Sequence, residues 1–512
     1  ADAKGMLAWA GERPGLGLGL AAGAAVGLFA LWEWRRRKDW PPIAPFSLIE
    51  NATIFATQGH KVPFHILDCF DKTGPIFRLR MPTWEHMVWV CDPEEARVLL
   101  EGDPARGITP LDKGSTHKEF DMVTNGPSIF SLETRAHSWV LTRKGSAPAF
   151  SSKNIDLMHR KMLDSVKLFE QNVLARSEKS GTSWMLEDWC QRLTMEVMYG
   201  SMFLDHAKCL DPDTRDGPGM RILDIISELL SEVNPRRMGD ATRKYMIFHP
   251  QVRRCTRLAK EARDIARGLL DKYRAERTAA EIEQDMTVMG FLCRAEFESD
   301  EARLADMVTY LVAGYDTTSS ALGWGLTFLH KHPSALAALR TELDKINPAR
   351  KEWTTELLDK CTYLQWVVWE TLRLGTPGVA VLRYNPMFGP ERWVSGYKIP
   401  PMSRILISMM VPAWRFVTDG EEFRPERWDP AHPEAEQLRK AAASAPFSLG
   451  KRACLGKNLA KRELHVFLAS ISQRWDIGIA KEDMPRYSLT FSPGKCEMTA
   501  TRRKPVGTAE AF

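Results

Sequence analysis

The run Phe447-Ser448-Leu449-Gly450-Lys451-Arg452-Ala453-Cys454-Leu455-Gly456 surrounds one cysteine with residue types that suit a metal-bound thiolate. Such a ligand needs its negative charge stabilised and water kept away. Gly450 and Gly456 let backbone N–H groups turn toward the sulfur. Phe447 can shield the sulfur with its ring, and Arg452, two residues before the cysteine, can reach an anionic group on a flat cofactor. Helical sequence follows, and the positive end of a helix dipole favours a thiolate placed before it. The plain alternative is a buried structural cysteine in a glycine turn.

A second cluster is Ala313-Gly314-Tyr315-Asp316-Thr317-Thr318, set inside an otherwise apolar helical stretch. An acid beside two threonines is costly there unless it serves a purpose. Thr317 can bond back to the carbonyl of Ala313, four residues earlier, which loosens the helix and opens a groove. The alternative is a helix kink with a solvated aspartate. Asp306, Tyr310, Ala313 and Thr317 fall on one stripe of that helix. A third set is Glu370 and Arg373, one turn apart in Trp369-Glu370-Thr371-Leu372-Arg373, with Arg427 in Phe423-Arg424-Pro425-Glu426-Arg427-Trp428. Taken singly, a Glu/Arg pair at this spacing is usually a solvated helix face.

In this order and spacing the three clusters resemble the cytochrome P450 superfamily. The likeness runs from about Pro41 to Lys504 and is strongest from Ala313 to Glu463. It implies that Cys454 is the axial ligand of a haem b iron, in a loop whose fixed positions are Phe447, Gly450, Arg452, Cys454 and Gly456. It implies that Thr317 positions oxygen and a water, that Asp316 feeds protons, and that Ala313 and Tyr310 wall the pocket. Glu370, Arg373 and Arg427 become a structural lock on the proximal side. Trp139-Val140-Leu141-Thr142-Arg143 looks like the family's helix in which Trp139 and Arg143 hold a haem propionate, and Arg383 is a further candidate for that task. Two departures stand out. Trp414-Arg415 replaces a common His-Arg pair, and Pro401-Met402 replaces a usual Pro-x-Gly.

The activity implied is insertion of one oxygen atom from O2 into a lipophilic substrate, by hydroxylation or epoxidation. The electrons would come from NADPH through a partner reductase or cytochrome b5, since the chain has no flavin or nicotinamide fingerprint of its own. Arg143, Lys144, Lys451, Lys457, Lys461 and Arg462 are candidates for docking an acidic reductase, or ordinary solvated cations. The pocket would draw on the segments 120–130, 203–250, 377–381 and 490–493. Sterols, fatty acids, terpenoids and secondary metabolites remain open as substrates. Two rival readings are a reductase-independent haem-thiolate isomerase or peroxygenase, and a haem-containing subunit of a membrane assembly.

The elements that must hold these groups follow from periodicity. Leu304, Val308, Leu311, Val312 and Tyr315 share one helix face. The chain is expected to be helical from about Trp139 to Glu342, from Thr341 to Leu374, and from about Asn458 to Trp475. Strand-like runs occur at 76–80, 87–90 and within 379–407. The fold class is therefore mainly α with a smaller β component, a cytochrome P450 fold preceded by one transmembrane helix.

That helix is read at the N-terminus. Pro14 to Trp32 carry no charge over a length that matches a bilayer core. Trp32 and Trp34 suit the interface, and Arg35, Arg36, Arg37 and Lys38 place the body in the cytosol. Gly15, Gly19, Gly23 and Gly27 recur every four residues, as for a close helix partner. The expected layout is an anchor with basic stop at 1–39, a proline-rich hinge at 40–50, a catalytic domain at 51–504 and a loose tail at 505–512. The endoplasmic reticulum is the default membrane.

Composition excludes other classes. Hydrophobic residues make up 44% and charged residues 26% of the 512, which is ordinary for a globular protein. A net charge of +5, without basic blocks interleaved with aromatics, argues against nucleic acid. Nine scattered cysteines with no CxxC pair argue against zinc ribbons and for a reducing compartment. Asn51-Ala52-Thr53 matches a glycosylation acceptor, but cytosolic placement argues against its use.

Overall fold

A computed structural model describes residues 37–81, 85–114, 120–203, 207–213, 217–233, 248–442 and 445–504. The uncharged run at 14–32 and its glycine stripe lie outside these residues. Among the described residues no helix is long and apolar enough to cross a membrane.

The chain is mainly helical, and its axis is one long helix. We label the elements used below in chain order: α1 (Leu48–Thr57), β1 (Ile76–Leu79), β2 (His86–Val90), α2 (Pro93–Glu101), α3 (His137–Ser146), α4 (Leu186–Phe203), α5 (Asp300–Lys331), α6 (Thr362–Leu374), β3 (Ala380–Asn385), β4 (Ser403–Ser408) and α7 (Lys457–Arg474). Helix α5 is 32 residues long. It starts at Ser299, whose side chain accepts from the Ala302 N–H, with Asp300 and Glu301 in the first turn and His330 and Lys331 in the last. Both ends thus suit the helix dipole. Leu304, Val308, Leu311, Val312 and Tyr315 are buried, as their shared face requires. The helix packs against α4, α6 and α7.

The helical stretch expected from Thr341 to Leu374 is interrupted. One helix ends at Ile346 and α6 begins at Thr362, with a short helix, Thr355–Asp359, between them. Pro348 cannot continue the first helix, and Asn347 caps its end by bonding the backbone of Lys351.

The main sheet has the order β1-β2-β4-β3. Strands β2 and β4 are parallel, with His86 opposite Ser403, and the outer pairs are antiparallel. The 40–50 stretch does not stand off as a hinge. Trp40 and Ala44 are buried, Ile43 bridges Arg78 beside β1, and Arg78 Nε donates to the Pro41 carbonyl. Asn51 is fully buried in α1, donating to the Arg80 carbonyl and bonding His65, so it is no glycan acceptor in the fold. A second sheet joins Trp184–Met185, Glu497–Arg502 and Trp475–Lys481. All nine cysteines are free thiols.

Candidate haem-thiolate site

The Cys454 loop is set by one glycine and one helix start. Gly450 has φ +71, and a Cβ there would lie 2.5 Å from the Leu100 carbonyl oxygen at the end of α2, so no other residue fits the turn. The Cys454 N–H donates to the Phe447 carbonyl at 2.8 Å, closing the loop. Gly456 precedes the first turn of α7. Cys454 is exposed, yet enough protein surrounds it that burial pushes its thiol pKa up. The N–H groups of Gly456 and Lys457 and the Arg143 guanidinium pull it back. That is the donor arrangement a thiolate needs. Phe447 is half-buried, edge-on to Trp369 at 6.3 Å.

Above this loop, α5 turns Asp316, Thr317 and Thr318 in three directions, since successive residues on a helix are about 100° apart. Thr317 is exposed and donates to the Ala313 carbonyl at 2.8 Å, the back-bond expected from the sequence. Ala313 is exposed beside it. Asp316 is buried and accepts from the Thr490 hydroxyl at 2.9 Å. Burial raises its pKa to about 6, with the Thr490 bond lowering it and Glu187 raising it further. Gly314 leaves room for the Met198 side chain of α4, which a Cβ there would force to shift. Farther up the helix, Asp306 accepts from the Ile129 N–H at 2.6 Å and is raised to about 7 by burial. Tyr310 donates to Ser146 of α3 and is buried rather than open to the groove.

The cations expected to meet propionates do converge. Arg452 lies over the Trp139 ring at 4.3 Å and donates to Thr134 Oγ1, the Ile129 carbonyl and the Leu132 carbonyl. Arg383, on β3, is buried and donates to the carbonyl of its neighbour Leu382 at 2.9 Å. Burial lowers both Arg383 and Arg452 to about 10. They share one carboxylate, Asp112, which is 3.9 Å from Arg452. Asp112 is already taken by the Thr134 N–H and hydroxyl and the Lys113 N–H, which hold its pKa low against burial. The Trp139 indole N–H is buried with no partner. Arg143 reaches the cysteine loop. Its guanidinium donates to the Ala453 carbonyl at 2.9 Å, beside the cysteine.

Sequence reasoning missed Asp112, Lys113 and Thr134 in this cluster. Lys113 is buried, donates to the Phe130 carbonyl and sits 3.7 Å over the Phe130 ring. No motif marks these residues. Thr490 was within reach, since its turn was among the expected pocket segments.

The lock is closed. Glu370, fully buried, accepts from Arg373 Nε and Nη2, the Arg424 N–H, Arg427 Nε and Trp428 Nε1. The other donors of Arg373 and Arg427 go to the carbonyls of Ala413, Thr418, Asp419, Gly420 and Glu422. The unusual Trp414-Arg415 is built into the same region, Trp414 donating to Leu374 and Arg415 pairing with Asp71 and Glu421. Of the six basic docking candidates, Lys144, Lys451 and Lys457 are exposed, whereas Arg462 pairs with Asp359 and Lys461 leans over Trp369.

These residues fit an iron porphyrin: a thiol with N–H donors aimed at it, two buried guanidiniums sharing one carboxylate among the described residues, and an orphan indole N–H ready for an acid. Fold and site thus define a haem-thiolate protein. The family model for cytochrome P450 matches residues 41–503, and the chain belongs to that family. It is 24% identical to a flavonoid-6-hydroxylase of Mentha piperita, over 90% of this chain and 89% of that one. It is 34% identical to a benzoate 4-monooxygenase of Aspergillus niger, over 35% of each chain. The chain thus spans about a third of that relative. It also matches 42% of a bifunctional cytochrome P450/NADPH–P450 reductase of Bacillus subtilis, at 24% identity and over 91% of this chain. The crystal structure of the cytochrome P450DA heme domain superposes with a TM-score of 0.76 at 18% identity, covering 91% of this chain and 97% of that one.

Proposed function

We propose that the protein is a monooxygenase that inserts one oxygen atom from O2 into a lipophilic small molecule, drawing electrons from NADPH through a separate reductase. The observation that carries this reading is the arrangement around Thr317. Its hydroxyl is exposed on α5 and held by the Ala313 carbonyl, and behind it is an acid, Asp316, whose pKa of about 6 lets it hold or release a proton near neutral pH. Haem supplies oxygen activation when bound. The chain supplies the rest. Cys454 would hold the iron, with Gly456 and Lys457 stabilising the sulfur's charge. Arg383, Arg452 and the Trp139 N–H would hold the propionates. Thr317 would position a water or hydroxyl, and Asp316 would return protons through Thr490.

Two lines support a reductase and a membrane. The Bacillus relative is named for a P450 and an NADPH–P450 reductase in one polypeptide, and residues 14–32 are an uncharged run of spanning length in the sequence. The basic residues after that run favour a cytosolic body, and the endoplasmic reticulum is the default membrane for such an anchor. The relatives' names span benzoate and flavonoid oxidation, so they support the reaction rather than one substrate.

The test is turnover of a host lipid and metabolite extract by the full chain with NADPH and a microsomal reductase, read by mass spectrometry. We expect oxygenated products that need NADPH and that fall in Thr317→Ala by about 10²-fold, the usual scale for losing one proton-transfer group. Products made equally well with peroxide alone, and unchanged in Thr317→Ala, would overturn the reading.

A further inference from the structure

Ile129 is held from two sides. Its N–H donates to Asp306 of α5 at 2.6 Å, and its carbonyl accepts from Arg452 of the cysteine loop at 2.8 Å. The residues around it form one compact turn. The Ser131 and Leu132 N–H groups both donate to the Ser128 carbonyl, and the Ser128 N–H donates to the Ser131 hydroxyl. A turn bonded in this way moves as a unit, so whatever holds the Ile129 N–H also places the carbonyls of Ile129 and Leu132. Arg452 donates to both of them, and its Nε donates to Thr134 Oγ1. With these N–H groups fixed, the direction of the guanidinium donors left over for an anion is fixed too.

Asp306 has no other task in the site described above. It stands eleven residues, about three turns, before Thr317, too far along α5 to serve the groove there. It is 1% exposed, and the groups that act on its carboxyl are the Ile129 N–H and the Thr142 hydroxyl of α3. Thr142 is buried and follows Trp139 by three residues, on the same side of α3. Arg452 lies over the Trp139 ring. Asp306 thus backs both surfaces that seat Arg452: the turn that takes its N–H groups and the helix whose indole covers its plane. A buried carboxyl is costly unless it is hydrogen-bonded, which keeps both partners against this one.

We propose that Asp306 is a positioning residue for the haem: from α5 it braces the turn and the helix on which Arg452 sits, and so sets how tightly Arg452 grips a propionate. That role rests on the haem-thiolate reading.

The test uses the full haem-loaded chain with Asp306→Leu, Asp306→Asn and Arg452→Met, and with Asp306→Leu and Arg452→Met combined. Hydrogen exchange of the 127–133 peptide reads the turn, and haem transfer to a scavenger globin reads the grip. We expect Asp306→Leu to speed both, exchange severalfold and haem release by roughly tenfold, the scale of one lost hydrogen bond to a charged group. Asn, which still accepts from the Ile129 N–H, keeps both within about twofold of the parent. Since Asp306 acts through Arg452, the combined variant releases haem no more than about twofold faster than Arg452→Met alone. If Leu does not fold, Asp306→Ala takes its place. If Arg452→Met does not hold haem, Arg452→Lys, which keeps the charge and loses the fork, completes the same cycle. Unchanged haem release in Leu, an Asn variant as fast as Leu, or a full roughly tenfold effect added on top of Arg452→Met overturns the proposal alone. A parent chain that lacks the carbon monoxide band of a thiolate haem overturns the haem-thiolate reading and the proposal with it.

Discussion

Two of the clusters of buried charge among the described residues are built on opposite plans. In the lock, one carboxylate meets two guanidiniums, and every strong donor finds an acceptor within the chain. Glu370 takes five hydrogen bonds, and the loop from Ala413 to Glu422 caps what remains of Arg373 and Arg427. In the second cluster, Arg383 and Arg452 share an aspartate that is already occupied, and a buried indole N–H faces nothing. Burial lowers the pKa of both arginines, as it does that of Arg427 in the lock, but here the one carboxylate near them, Asp112, is held by the Thr134 and Lys113 N–H groups instead of by a guanidinium. A closed network needs no outside group and acts as structure. An open one of the same residue types asks for an anion, and the two propionates of a haem would answer that request. Composition alone does not separate the two cases; the distribution of unused donors does.

The strongest way to break the comparison is to open the lock. Glu370→Ala strands two guanidiniums that are about 1% exposed. Removing one partner of a buried ion pair costs about 3–5 kcal/mol, a large share of the roughly 5–15 kcal/mol that holds a domain folded. We expect little soluble holoprotein and a sharply lower thermal midpoint. A midpoint equal to the parent's would show that the network is not closed in the sense argued here.

The same operation on the open cluster should have the opposite sign in the haem-free chain. Arg383→Met removes a charge that the chain leaves poorly compensated, so the apoprotein should be as stable as the parent or slightly more so. The penalty appears only when haem binds. One charged hydrogen bond is worth about 1.5–3 kcal/mol, or roughly a tenfold to hundredfold loss in affinity. Haem transfer to a scavenger globin measures the second effect, and apoprotein unfolding the first. An apoprotein weakened as much as Glu370→Ala would erase the distinction.

How much of this was legible in the sequence follows the same division. The lock, the cysteine loop and the Asp316-Thr317 step were readable because their members are close in the chain or in motifs of fixed spacing. The main strands and α5 followed from periodicity. The open cluster was only half readable. Arg383 and Arg452 could be named, but Asp112, Lys113 and Thr134 become its members only because the Asp112 carbonyl accepts from Tyr384 on β3 and the 129–134 loop folds over Arg452. No local pattern encodes that approach. The bond from Arg143 to the Ala453 carbonyl was not legible either, since it depends on how α3 meets the cysteine loop. The proline-rich stretch after Lys38 read as a hinge because prolines resist helix, but the same prolines suit a sheet edge, and tertiary contact with Arg78 decided it.

Two tryptophans offer the finest version of the comparison, because each contributes one indole N–H. Trp428 Nε1 donates to Glu370 at 2.8 Å, while Trp139 Nε1 is buried without a partner. Replacing either by Phe deletes the N–H and keeps an aromatic ring. In the lock, Glu370 Oε2 would retain Arg373 Nε, so Trp428→Phe should cost only about 0.5–1.5 kcal/mol, with no change in haem affinity beyond that loss of fold stability. At Trp139 the deleted group is an unsatisfied donor, whose removal is neutral or mildly stabilising in the apoprotein. Its loss should instead show as faster haem release, by a smaller factor than for Arg383→Met, since a neutral donor holds a propionate less strongly than a guanidinium does. Measuring apoprotein stability and haem release for both variants gives four values. The closed and open description requires the two main changes to fall on one diagonal: stability for Trp428, release for Trp139. If both variants lost stability alike and released haem alike, the unpartnered indole would be an ordinary packing residue, and the guanidiniums alone would define the open cluster.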